Sequence, residues 1–123
     1  MTLQLLPQAL TVCKVAQPEA LAPDVPFYFA ARTEGELSLV CATAQVPPYT
    51  LAREDGFRAL RVAGSMAFSL VGILAGLTGA LAAAAVPVFA VSTFDTDYLL
   101  VKVERLPEAL RALREAGYAV EEA

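Results

Sequence analysis

"VAGSMAFSLVGILAGLTGALAAAAVPVFAVSTF", Val62–Phe94, runs without a charged side chain, and its reading decides between two kinds of protein. The length permits a membrane span, which needs about 20 predominantly apolar residues. The residue types point elsewhere. From Leu70 to Ala85 the bulky side chains fall at Leu70, Ile73, Leu74, Leu77 and Leu81, with Gly72, Ala75, Gly76, Thr78, Gly79, Ala82 and Ala83 between them. On a helix this spacing gives one large apolar face and one face of small residues. A lipid-facing helix needs bulky residues around most of its girth, because alanine and glycine contribute little to insertion. Pro87 pushes the residue before it out of the helical region. The following "VPVFAVSTF" is rich in β-branched and aromatic residues, as a buried strand is. The stretch therefore predicts loop, sheet-packing helix, turn and central strand, uncharged because most of it is buried. Gly72 and Gly76 also have the small-xxx-small spacing that lets two helices approach, in membranes or in water. A membrane-anchored chain, which would need detergent, is the reading this displaces.

Outward from that helix, "GFRALRVAG" (Gly56–Gly64) alternates apolar residues with Arg58 and Arg61 between glycines and reads as a strand. "GSMAFS" (Gly64–Ser69) is a loop with Ser65 or Ser69 available to cap the helix. "VPVFAVSTF" and "YLLVKV" form a hairpin around the turn formers Asp95–Asp97. "LPEALRALREAG" (Leu106–Gly117) is an amphipathic helix with Pro107 in its first turn and Gly117 as its stop. "YAVEE" closes as a last strand. The order is β-α-β-β-α-β, a ferredoxin-like α+β unit over Gly56–Glu122.

The N-terminal half echoes it: a strand "ALTVCKV", a turn-rich piece "PEALAPDV", a hairpin "FYFAARTEGELSLVCA" turning at Glu34-Gly35, and a connector Pro47–Asp55. The chain thus predicts a tandem repeat, an N-terminal unit 1–55 with degenerate helices and a C-terminal unit 56–123.

Composition narrows the function. The 123 residues are 57% hydrophobic, with net charge −4 and scattered cations. Nucleic-acid binding needs clustered cations to displace counterions, so that class is unsupported. No histidine is present, and the two cysteines, Cys13 and Cys41, form no C-x-x-C. Zinc, haem and histidine-based acid–base catalysis lose their usual residues. Serines without histidine, isolated carboxylates and no phosphate-cradling glycine loop leave no nucleophile–base set. The expectation is a non-enzyme with no metal or cofactor. Cys13 and Cys41 read as reduced, buried thiols of a cytoplasmic protein, bridged only if their strands are neighbours. No basic region precedes the first apolar residues, so the N-terminus does not read as a signal peptide.

"FSLVGILAGLTGALAAAAVPVFAVSTFDTDYLLVK" (Phe68–Lys102) resembles the core of the ACT-domain proteins related to the CASTOR arginine sensors, most specifically in "SLVGIL" and "VSTFDTDYLLV". With "FRALRV" and the last helix the resemblance covers the C-terminal half, and the N-terminal half is similar in layout. The resemblance implies tandem ACT-like units that associate side by side, within a chain or across a homodimer. It also implies a small ligand, most often an amino acid, bound at an interface between two ACT units. By the resemblance, the ligand would meet the loop Gly64–Gly72 (Gly64, Ser65, Phe68, Ser69, Leu70, Val71 and Gly72) and the start of the next strand, at Pro87 and Val88. A helix N-terminus suits an α-carboxylate, and Asp95 and Asp97 are the nearest acidic candidates for an ammonium group. Many ligand-binding ACT domains carry an acidic or amide residue just ahead of the helix glycine; "MAFSLVG" (Met66–Gly72) has none. A second reading follows, a structural or protein-interaction module that has kept the fold without the ligand.

Overall fold

A computed structural model describes residues 1–17, 24–63 and 72–122. They form two compact units, Gln8–Phe57, and Met1–Pro7 with Arg58–Ala123. The elements, in chain order, are β1 (Thr2–Leu5), β2 (Leu10–Val15), β3 (Tyr28–Arg32), β4 (Leu37–Ala42), β5 (Ala52–Val62), α1 (Ile73–Ala83), β6 (Phe89–Ser92), β7 (Asp97–Lys102), α2 (Leu106–Glu115) and β8 (Ala119–Glu122). The class is α+β with the βαββαβ order of a ferredoxin-like unit.

In the C-terminal unit the strands run β6-β7-β5-β1-β8. Met1–Pro7, expected with the unit 1–55, belong here instead. The reason is local alternation: Leu3 and Leu5 are buried and lie opposite Val62 and Leu60 in an antiparallel pair. On the other side of β1, β8 runs parallel, with Leu3 opposite Val120. β1 thus stands between β5 and the last strand. On the face away from Leu3 and Leu5, Arg61 donates to the Gln4 side-chain oxygen at 2.7 and 3.0 Å; Arg58 donates to the Leu6 backbone carbonyl at 2.9 Å.

The core joins Leu77 and Leu81 of α1, Ala109 and Leu113 of α2, Leu99 and Val101 of β7, and Leu3, Leu5, Leu60 and Val62. Each helix offers its buried residues four positions apart, on one face. Burying a leucine fully contributes about 1.5–3 kcal/mol, so this layer supplies most of the unit's stability.

Both helices end in the same way. Tyr118 N–H donates to the Leu113 carbonyl at 3.0 Å and Gly117 N–H to Arg114 at 3.0 Å, around Gly117 at φ +98°. Val86 N–H donates to Leu81 at 2.9 Å and Ala85 N–H to Ala82 at 3.0 Å, around Ala85 at φ +57°. These are Schellman ends, which favour glycine at the left-handed position. In α1 an alanine takes it, held because Val86 and Leu81 share the core and Arg105 donates to the Ala85 carbonyl at 3.1 Å.

The uncharged stretch is less buried than expected. Leu77, Leu81 and Val86 are buried, but Ala75, Gly76, Gly79, Ala82, Ala83, Ala85, Pro87, Phe89 and Ala90 are exposed. Instead of a central strand, β6 lies at an edge, pairing only with β7 among the described residues. No described helix is long and apolar enough to cross a membrane.

In the N-terminal unit the strands run β3-β4-β2-β5. Cys13, Val15, Leu37, Leu39, Cys41 and Val25 form a smaller core. A short 3-10 turn at Thr43–Gln45 precedes Pro47 and Pro48; the corresponding turn at Val103–Arg105 leads directly into α2. Two successive prolines remove two helical donors, which accounts for the degenerate helix. Ala52–Asp55, expected in a connector, are the start of β5, with Lys14 opposite Ala52 and Cys13 opposite Arg53. The pairing then jumps, Val12 facing Glu54 and Leu10 facing Phe57, which leaves a bulge containing Gly56 at φ +85°. Buried Thr11 secures it, donating to the Asp55 carboxylate at 2.7 Å, an oxygen that also accepts from Arg53 at 2.8 and 3.2 Å. With its own proton so placed, Thr11 accepts from the Thr43 hydroxyl at 2.9 Å.

Cys13 and Cys41 are free and buried on neighbouring strands, but out of register: Cys13 faces Leu39, and Cys41 faces Thr11. Such diagonal positions lie about 7–8 Å apart, beyond the usual span of a disulfide. Burial pushes both thiol pKa values up, and the Arg53 charge opposes this only in part.

Candidate functional site

The expected site falls partly outside the described residues: Gly64, Ser65, Phe68, Ser69, Leu70 and Val71 lie within 64–71. Gly72, Pro87, Val88, Asp95 and Asp97 are described, and the structure divides them. The strand leading into the loop ends at Val62, whose carbonyl accepts from the Thr96 hydroxyl at 3.0 Å. Ala63 N–H donates to the Thr2 carbonyl at 2.9 Å. The β6–β7 turn is therefore fastened to the residue before the departing loop. At the loop's far end Gly72 stands at φ +80°, a left-handed backbone that suits glycine, and it opens α1 without a capping side chain. The first turn of α1 holds no acidic residue, so its N–H groups and positive dipole end meet no negative side chain from the helix itself.

The turn is Thr93–Thr96, starting two residues before and ending one residue before the expected Asp95–Asp97. Thr93 N–H donates to the Thr96 carbonyl at 2.8 Å, while the Thr93 hydroxyl donates to that carbonyl at 3.1 Å and accepts from Thr96 N–H at 3.3 Å. Phe94, 78% exposed, and Asp95 form its tip. Asp97 is only 8% exposed; it begins β7 opposite Ser92, whose hydroxyl donates to its carboxylate at 2.6 Å. The two aspartates are thus unlike. Asp95 faces solvent, whereas Asp97 is held in the sheet.

Pro87 and Val88 lie elsewhere. They follow the C-terminal end of α1 and precede β6, whose first residue, Phe89, faces Leu100 at the opposite end of the strand pair from Ser92 and Asp97. Four strand residues separate them from the turn, about 13 Å. Val88 packs against the hydrophobic core, and Pro87 is exposed. The end of β5 and the β6–β7 turn meet at one end of the strand pair; Pro87 and Val88 sit at the other.

Ser92, Thr93 and Thr96 shape this end, and the sequence does carry a trace of them. In the N-terminal hairpin Thr33 N–H donates to the Glu36 carbonyl at 2.9 Å, and the Thr33 hydroxyl accepts from Gly35 N–H at 3.3 Å. A threonine opening a four-residue turn before a buried strand recurs in both units. Among the described residues no cluster of His, Cys, Asp or Glu is arranged to hold a metal ion.

The sequence profile of the ACT domain matches residues 52–115, from the start of β5 to the end of α2. The chain belongs to the ACT domain family. Its structure is similar to protein Atu0741 from Agobacterium tumefaciens, with TM-score 0.86 and 27% identity over 99% of this chain and 92% of that one. The same ACT fold appears in the ligand-free regulatory subunit of aspartate kinase from Thermus thermophilus, with TM-score 0.60 and 11% identity over 94% of this chain and 96% of that one. It also appears in aspartate kinase from Clostridium acetobutylicum, with TM-score 0.62 and 12% identity over 88% of this chain and 32% of that one. No protein of curated function matches the sequence.

Proposed function

We propose that this ACT-domain chain is a non-catalytic regulatory module that binds a small ligand, most readily an amino acid. The site lies where the loop after β5 meets the β6–β7 turn, at an interface between two ACT units in a homodimer. The bond from Thr96 to the Val62 carbonyl carries the reading, because it holds an acidic turn beside the root of the loop. The backbone of Gly64, Ser65, Phe68, Ser69, Leu70, Val71 and Gly72 would meet an α-carboxylate at the start of α1, where free N–H groups and the helix dipole favour an anion. Asp95 would meet the ammonium group; Asp97, already bonded to Ser92, would line the wall. The likeness in fold to a regulatory subunit of aspartate kinase supports this reading, as does the resemblance to relatives of the CASTOR arginine sensors. Two free buried thiols suit a cytoplasmic setting. Ligand binding would bias how two ACT units dock, and a coupled partner would respond. Calorimetric titration with each of the twenty amino acids tests this: at least one should give saturable heat, and no heat with any would remove it.

The alternative, an interaction module without a ligand, is favoured by the exposed outer face of α1 at Ala75, Gly79, Ala82 and Ala83. Gly76 does not serve that role, because a Cβ there would come within 2.7 Å of the Tyr118 hydroxyl in the same chain, whereas Gly79 faces open space. Sedimentation of Gly79→Leu decides it: loss of a dimer in a chain that binds no amino acid supports the interaction module, and an unchanged assembly counts against it.

A further inference from the structure

α1 is weakly fixed where it begins. Gly72 opens it without a capping side chain, and Gly76 and Gly79 lie within its first two turns. A glycine inside a helix lowers its stability about fivefold relative to alanine. The Thr78 hydroxyl donates to the Leu74 carbonyl at 2.9 Å, a competing bond that loosens the same stretch. The fully buried residues, Leu77 and Leu81, come after the opening turn, and Ile73 and Leu74 enter the core only in part. Tyr118 supplies what that turn lacks. Its backbone is fixed on both sides: its N–H donates to the Leu113 carbonyl at 3.0 Å where α2 ends, and the Ala119 N–H donates to the Met1 carbonyl at 3.1 Å where β8 begins. Its ring packs against the hydrophobic core and reaches α1. A Cβ at Gly76 would stand 2.7 Å from the Tyr118 hydroxyl oxygen, closer than such atoms approach, so the hydroxyl fills the place a side chain would take. At Gly79, three residues on, nothing lies within 4 Å. The two helix glycines are therefore unlike: Gly76 makes room for one particular neighbour, and Gly79 does not.

We infer that Tyr118 is a positioning residue for the start of α1. Seated in the notch at Gly76, it holds the opening turn formed; when it lifts, the turn unwinds toward Gly72. Gly76 is the residue that closes this turn, its N–H donating to the Gly72 carbonyl at 2.9 Å. The latch thus ties the start of α1 to the joint between α2 and β8. A weakly held turn with two arrangements, whose balance one side chain sets, is an element that a ligand can bias. The bearing of the latch on a ligand rests on the proposed function, in which an anion meets the free N–H groups of this same turn. The latch itself does not depend on that reading.

Conservative variants of the full chain test it without any ligand. In urea denaturation Gly79→Ala should raise the folding equilibrium constant about fivefold, the ordinary gain of alanine in a helix. Gly76→Ala should give no gain, because the added methyl group displaces the Tyr118 hydroxyl. In a Tyr118→Phe chain, which keeps the ring and loses the hydroxyl, Gly76→Ala should recover a gain of about fivefold. Amide hydrogen exchange separates positioning from bulk stability. In Gly76→Ala the amides of position 76 and Leu77 should exchange at least about fivefold faster, while Leu81 and Val101 stay within about twofold, and adding Tyr118→Phe should restore them. A Gly76→Ala chain that gains as much as Gly79→Ala overturns the inference. So does a Gly76→Ala chain that Tyr118→Phe fails to rescue, or one whose opening-turn amides exchange no faster. Rescue in a chain that gives no heat with any amino acid leaves the latch standing and removes the proposed function. Heat with an amino acid alongside failed rescue removes the latch alone.

Discussion

The two units share a hairpin and differ in what packs beneath it. In the C-terminal unit, Leu77 and Leu81 of α1 and Ala109 and Leu113 of α2 fill the space under the sheet. In the N-terminal unit the corresponding face is covered by small side chains, Cys13, Val15, Val25 and Cys41, with Leu37 and Leu39. Its hairpin nevertheless keeps its register from Tyr28 opposite Cys41 to Arg32 opposite Leu37, and its turn keeps the opening threonine. Pairing and turn chemistry therefore suffice to specify the hairpin, whereas the helices set the depth of the core.

The largest effect should come from testing that depth. Leu81→Ala removes a side chain with no exposed surface from between helix and sheet and should cost about 2–5 kcal/mol. Leu39→Ala in the shallower core should cost about 2 kcal/mol, at the low end of that range. Urea denaturation of both variants measures the difference, and equal losses would contradict a shallower N-terminal core.

A smaller effect separates the two helix ends. Gly117→Ala puts a Cβ at φ +98° and should destabilise by about 1 kcal/mol, while Ala85→Gly relieves φ +57° and should stabilise by up to about 1 kcal/mol. Thermal melting should move in opposite directions for the two.

The smallest contrast is one of pH and belongs to the N-terminal unit alone. Burial raises the thiol pKa values of Cys13 and Cys41 in the folded state. Their contribution is complete below the ordinary thiol value of about 8.5 and is lost as pH rises through the raised folded values, because the unfolded chain then releases protons first. Stability should decline at alkaline pH, and the decline should lessen in a Cys13→Ala, Cys41→Ala double variant compared with its own value at pH 7.

Much of the C-terminal unit is legible in the sequence because its signals are local. Pro107 and Gly117 bracket α2, and the three- and four-residue spacing of Leu77 and Leu81 gives the buried side of α1. What escapes depends on distant partners. Thr2–Leu5 is too short to identify as a central strand until Leu60 and Val62 are known to face it. Arg53, Glu54 and Asp55 read as the end of a connector, yet pairing with β2 makes them strand. Lack of charge does not specify burial, since alanines and glycines face solvent at little cost; hence α1 presents Ala82 and Ala83 outward. In the hairpin, the place of Asp95 within the turn was legible by position. The Ser92–Asp97 bond that makes the two aspartates unlike was not, because it depends on strand register.

The most direct test of the proposed role is residue-resolved: an amide NMR titration of the full chain with the twenty amino acids. A bound amino acid should shift Gly72, Ile73 and Thr93–Asp97 together and saturably, while Pro87's neighbours Val86 and Val88, at the other end of the unit, stay in place. Saturable shifts at Val86 and Val88 with none at Thr93–Asp97, or no shift with any of the twenty, would contradict a ligand site at the β6–β7 turn.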